Sequence, residues 1–128
     1  MTMSLDPHGQ REQRFWRTIS EAAGRAAVLE RILESRTPEE IYEFQDTFLD
    51  LAVELQDIPY SDFVADDQSE DGLEDIAHWI VSQGKEAYER VLRDPTQMPP
   101  RRPDPASDLF GVAYRIYRSK TNRPLDLM

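Results

Sequence analysis

Apolar residues recur three and four positions apart along most of the chain, and no stretch alternates with a period of two. That spacing gives a helix one apolar face and gives a strand none. It confines the chain to an all-α fold, and the expectation is a compact bundle of about five helices. The first helix begins near Arg11, and its apolar positions are Phe15, Trp16, Ile19, Ala22, Ala23, Ala26, Leu29, Ile32 and Leu33. Gly24 interrupts it at a cost of about 1 kcal/mol relative to Ala, so the helix either runs through or breaks there. Thr37-Pro38-Glu39-Glu40 starts the next one. Thr37 caps an orphan N–H, Pro38 suits the first helical position, and Glu40 reaches back to the cap. Loss of the Thr37 hydroxyl is expected to cost about 1 kcal/mol.

That second helix buries Ile41, Phe44, Phe48, Leu51 and Leu55. Its acids Glu43, Asp46, Asp50, Glu54 and Asp57 fall about 200° round the axis, as an unmixed stripe. Ile58-Pro59 ends it. A further helix starts near Ser69 and carries Leu73, Ile76, Ala77 and Ile80, with Gly84 as its left-handed stop. A short helix follows over Lys85–Arg93, ended by Asp94-Pro95. Residues 95–105 hold five of the nine prolines and read as a stiff linker. Ser107-Asp108 is expected to cap a C-terminal helix over 106–120. Residues 1–10 read as a flexible tail, and 11–128 as one helical domain, a length that suits a single core.

Charge is distributed unevenly along this chain of net charge −10. From Thr37 to Gly84 there is no Lys or Arg, and that base-free window holds 14 of the 25 acids. It repels nucleic-acid phosphate and attracts basic surfaces, so no direct nucleic-acid binding is expected. There is no cysteine, which excludes disulfide scaffolds, thiolate metal sites and thiol nucleophiles. Neither a secretory leader nor a membrane span is visible, and the reading is a soluble cytoplasmic protein, a monomer or weak homodimer.

The densest acidic stretch, Asp66-Asp67-Gln68-Ser69-Glu70-Asp71-Gly72, invites a calcium reading. Counted from Asp67, the loop matches an EF-hand through its sixth position, then puts His78 where a bidentate Glu belongs. Glu74 and His78 share a helix face, but only His8 remains as a further imidazole, too few for a zinc centre. A helix start explains more. Ser69 caps, and Glu70 and Asp71 sit in the first turn, where the helix dipole favours acids. Gly72 is left unexplained by capping. No metal and no cofactor is expected.

Several segments together resemble a known family. They are Phe15-Trp16 with Ile19, Thr37-Pro38-Glu39-Glu40-Ile41 with Phe44, Ser69-Glu70-Asp71-Gly72-Leu73, Trp79-Ile80-Val81 with Gln83-Gly84, Asp94-Pro95, and Ala113-Tyr114-Arg115 through Lys120-Thr121-Asn122. In order and spacing the chain resembles the bacterial domain of unknown function 4240 family, over roughly residues 13–124. The family pattern more usually reads Ser-Asp-Asp-Gly-Phe, followed by an aromatic-Arg pair before Trp-Leu-Ile. Here Glu70 and Leu73 differ, Ile76-Ala77-His78 precedes the Trp, and Asp62 to Gln68 replaces an Ala- and Gly-rich segment. The resemblance implies a compact helical domain and carries no activity.

Two functional expectations follow. The first is a protein-interaction module of adaptor, regulator or immunity type, which meets a basic protein partner through Glu43, Asp46, Asp50, Glu54 and Asp57. The alternative is an accessory enzyme or small-molecule binder. Its cleft would gather Trp16, Ser69, Glu70, Asp71, Gly72, His78 and Trp79.

Overall fold

The central helix, Pro38–Val53, starts where two residues, Thr37 and Glu40, satisfy one another. The Thr37 hydroxyl accepts the Glu40 N–H at 3.1 Å, and the Glu40 carboxylate accepts the Thr37 N–H at 2.9 Å. Pro38 has no N–H to leave unpaired. The hydrogen bond from the Thr37 backbone is the main reason that the Glu40 carboxyl lies below its usual range.

The structure, a computed structural model, describes residues 7–127. Among them are six helices: α1 Pro7–Ala22, α2 Ala26–Glu34, α3 Pro38–Val53, α4 Glu70–Ser82, α5 Lys85–Arg93 and α6 Val112–Thr121. No strand occurs among the described residues. The all-α expectation therefore holds, with one helix more. The extra one arises at Ala23-Gly24, where φ is 51° and 74°. Two successive residues in the left-handed region cannot continue a right-handed helix, so α1 stops and α2 folds back against it.

Helix α3 packs against α1, α4 and α6, and α2 lies against α1 and α6. The rings of Phe15 and Phe44 meet at 4.9 Å, and those of Phe15 and Phe48 at 5.7 Å. Each buried ring contributes about 1.5–3 kcal/mol. Trp16 packs between Phe15 and Tyr88. The Tyr88 hydroxyl donates to the Leu51 carbonyl at 2.6 Å and so ties α5 to α3; burial pushes its phenol pKa up.

Four boundaries differ from expectation, the first being that α3 ends at Val53, ahead of the expected stop at Ile58-Pro59. Helix α1 begins at Pro7, inside the stretch 1–10 read as a tail; proline suits a first turn. Residues 1–6 of that stretch lie outside the described residues. The linker 95–105 is not featureless. It begins with a 3-10 turn at Pro95–Gln97, and a second one, Pro105–Ser107, follows at its far end. Asp94 and Asp104 open these turns by accepting the N–H of Thr96 and of Ala106. Helix α6 begins at Val112 and not at 106. The residues expected to cap it are engaged elsewhere: the Ser107 hydroxyl accepts the Trp79 indole N–H, and the Asp108 carboxylate accepts the Phe110 N–H. No described helix is long and apolar enough to cross a membrane.

Candidate functional site

The acidic stripe of α3 is unmixed in sequence but mixed in space. Arg11 and Arg14 lie three apart on α1, matching the spacing of Glu43, Asp46 and Asp50 on the helix beside it. Arg14 grips Glu43 through two nitrogens, at 2.8 and 3.1 Å. Arg11 bridges Asp46 at 2.9 Å and Asp50 at 2.8 Å. Glu54 and Asp57, further along, have no ion pair with any described residue. Asp57 accepts the N–H of Ile58. Three of the five carboxylates assigned to a partner therefore already have a cation.

The C-terminal bases lie largely elsewhere. Arg115 pairs with Glu30 at 2.7 Å, and Lys120 donates to the Glu34 carbonyl. Arg101 is the one that reaches the base-free window. It donates to both oxygens of Asp67 and holds that carboxyl below its usual range. The Ala65 N–H donates to the Pro100 carbonyl beside it, so the connector and the Pro-rich segment lie together.

At the start of α4 the carboxylates behave as helix-terminal groups. The Ser69 hydroxyl accepts the Gly72 N–H at 3.2 Å, and Glu70 and Asp71 occupy the first turn. A Cβ at Gly72 would lie 2.6 Å from the Gln68 side-chain oxygen, so the glycine makes room for that amide. Among the described residues, no three His, Asp or Glu converge to hold a metal ion.

The residues assigned to a cleft border three separate grooves. Trp16 is buried in the core and touches one of about 460 Å³, beside Ser82 and Gly84. Trp79 is half-buried. Its indole N–H donates to the Ser107 hydroxyl at 2.9 Å, and it borders a second groove of about 350 Å³ with Ala87, Pro99 and Pro103. His78 borders the third, of about 480 Å³, between α3, α4 and α6. Ser69, Glu70, Asp71 and Gly72 line none of these three.

The third groove combines charge with apolar surface. Asp46, Asp50 and Val53 line it from α3, Glu74 and His78 from α4, and Tyr114 from α6, with Phe110 just before that helix. His78 is 7% exposed, and its ring stacks on Phe110 at 3.7 Å and 3°. Burial lowers the imidazole pKa, against the smaller opposing pull of Asp108 and Asp75, a shift that favours the neutral ring. Sequence reading named His78, Asp46 and Asp50 but missed Val53, Phe110 and Tyr114. Phe110 precedes α6, where no helical spacing marks an inner face.

The described residues thus form an all-α fold of six helices with an acidic, apolar-floored groove. Residues 11–118 match the model of the family described as Protein of unknown function (DUF4240), and the chain belongs to that family. No curated protein and no solved structure matches the chain.

Proposed function

We propose that the protein is an interaction module whose base-free window receives a basic protein partner. One observation carries this reading. Four of the window's 14 acids, Glu43, Asp46, Asp50 and Asp67, are in ion pairs. The other ten are Glu39, Glu40, Glu54, Asp57, Asp62, Asp66, Glu70, Asp71, Glu74 and Asp75. All ten are exposed, with no ion pair to a described residue. All four exposed large hydrophobics among the described residues, Tyr42, Val53, Ile58 and Phe63, lie in the same window. Glu54 and Asp57 lie between Val53 and Ile58 along the chain, and Asp62 lies between Ile58 and Phe63.

Carboxylates interleaved with exposed apolar side chains suit a partner that is both basic and partly apolar. A solvated surface has no use for the apolar members, and a free metal ion has none either. The contact surface accordingly centres on residues 53–75 and keeps Glu54 and Asp57 from the original five. Glu43, Asp46 and Asp50 contribute less, because Arg11 and Arg14 already offset their charge.

The test is affinity capture at low and high salt, with two charge-reversed variants. Asp57→Lys/Asp62→Lys/Asp66→Lys alters the window. Glu21→Lys/Glu86→Lys/Asp126→Lys makes the same net change outside it. The expected result is one basic protein recovered at low salt by the wild type and the second variant, and lost with the first. Equal recovery by both variants, or recovery indifferent to salt, contradicts the reading. Exposed charges act over a Debye length of about 8 Å at physiological salt, so the salt response is intrinsic to the proposal.

A further inference from the structure

We propose that the groove between α3, α4 and α6 is the anchoring site of that partner, and that its occupant is a basic amphipathic helix. The inference rests on the interaction reading and adds a location and a shape. Three observations support it. First, Val53, Phe110 and Tyr114 give the groove apolar surface, and Val53, 57% exposed, opens it to solvent, with Ile58 and Phe63 also exposed five and ten residues on. Second, the rim is acidic. Asp46, Asp50 and Glu74 stand against the single guanidinium of Arg11, a net charge of −2. Arg11 uses one oxygen of each aspartate and leaves the other for a further donor.

Third, His78 borders the groove while more than nine-tenths buried, and its imidazole makes no hydrogen bond to any described residue. The sealed, unpartnered side-chain atoms among the described residues belong to Gln45 and Arg11 and not to His78, so the imidazole nitrogens keep access to solvent and are open to a donor entering the groove. A neutral imidazole nitrogen accepts from an ammonium or guanidinium. The stack on Phe110 fixes the ring plane. A helix is the occupant that matches these features, because it presents apolar side chains on one face and cations beside them, and because grooves between helices receive helices. A small organic cation would use the rim and leave the apolar side chains of Val53, Phe110 and Tyr114 without a partner.

The experiment titrates the whole protein with three synthetic probes at low salt. One is a Leu/Lys peptide of about five helical turns with its leucines on one face. The second has the same composition shuffled so that no face is apolar, and the third is spermine. Backbone amide shifts locate each probe. The segregated peptide is expected to shift residues around Val53, His78 and Tyr114, and to bind about tenfold more tightly than the shuffled one, a difference of about 1.4 kcal/mol. Val53→Ser, at an exposed position, and His78→Phe, which keeps a ring on Phe110, are each expected to weaken it several-fold, with circular dichroism confirming the fold. Equal binding of both peptides, with shifts confined to residues 57–75, overturns the groove and leaves the basic-partner reading standing. Groove-centred shifts with spermine and none with the peptides overturn the helical occupant. Absence of any salt-sensitive binding overturns both.

Discussion

Gln45 is the polar residue least expected on the inner side of α3. It is wholly buried, and neither its amide oxygen nor its amide nitrogen meets a partner among the described residues. An unsatisfied buried amide costs about 1–3 kcal/mol, whereas an apolar side chain of similar shape has nothing to satisfy. Gln45→Met is therefore expected to raise stability by about 1–2 kcal/mol, read as a higher urea midpoint at unchanged slope. An unchanged or lower midpoint would mean that the amide is satisfied in solution. His78 carries a different dependence. Its folded-state pKa lies below the unfolded value, so as pH falls the unfolded chain takes up the proton first. Stability is full above the unfolded pKa of about 6.5 and declines below it, until the folded-state pKa is passed. His78→Phe is expected to flatten this decline. Urea midpoints of both proteins at about pH 7.5 and about pH 5 measure it, and parallel losses would contradict it.

Helix ends decide which elements were legible. The start of α3 could be read from Thr37 to Glu40 because every partner lies within four residues. The start of α6 could not. Ser107 and Asp108 look like a cap, but Ser107 holds the Trp79 indole from 28 positions away, and the backbone beyond it is anchored to Ser82. The break after α1 was half-legible: Gly24 marked the place, and the left-handed turn at Ala23 settled the outcome. The two glycines bounding α4 should behave in opposite ways. Gly84 sits at φ 114°, where a side chain is strained, so Gly84→Ala is expected to cost about 1–3 kcal/mol. Gly72 lies inside the helix, and only the flexible end of Gln68 occupies its Cβ position. Gly72→Ala is expected to be neutral or to stabilise by up to about 1 kcal/mol. Thermal unfolding of the two variants checks the pair, and equal losses would contradict the contrast.

Over the whole molecule the sequence showed where bases are missing, but not which acids are already matched. Arg11 is 35 residues from Asp46 in the chain and 2.9 Å from it in the fold. A charge count along the sequence is blind to that contact. On the proposed reading, the fold therefore takes Glu43 out of the partner surface, leaves Asp46 and Asp50 half-matched at the groove rim, and adds the connector and the start of α4. Removing the clamp should reveal the difference. Arg11→Gln exposes Asp46 and Asp50 at a stability cost of about 0–1 kcal/mol, as for other solvent-screened pairs. It should also tighten binding of a basic partner. A variant that loses several kcal/mol, or that binds no better, would contradict this account of the clamp.

The most direct measurement is carbodiimide labelling of carboxyl groups, with and without the basic protein captured at low salt, read residue by residue by mass spectrometry. Protection of Glu54, Asp57, Asp62, Asp66, Glu70, Asp71 and the groove's Glu74, with Glu21, Glu86 and Asp126 labelled as before, is the predicted result. Protection confined to carboxylates outside residues 37–84 would contradict it.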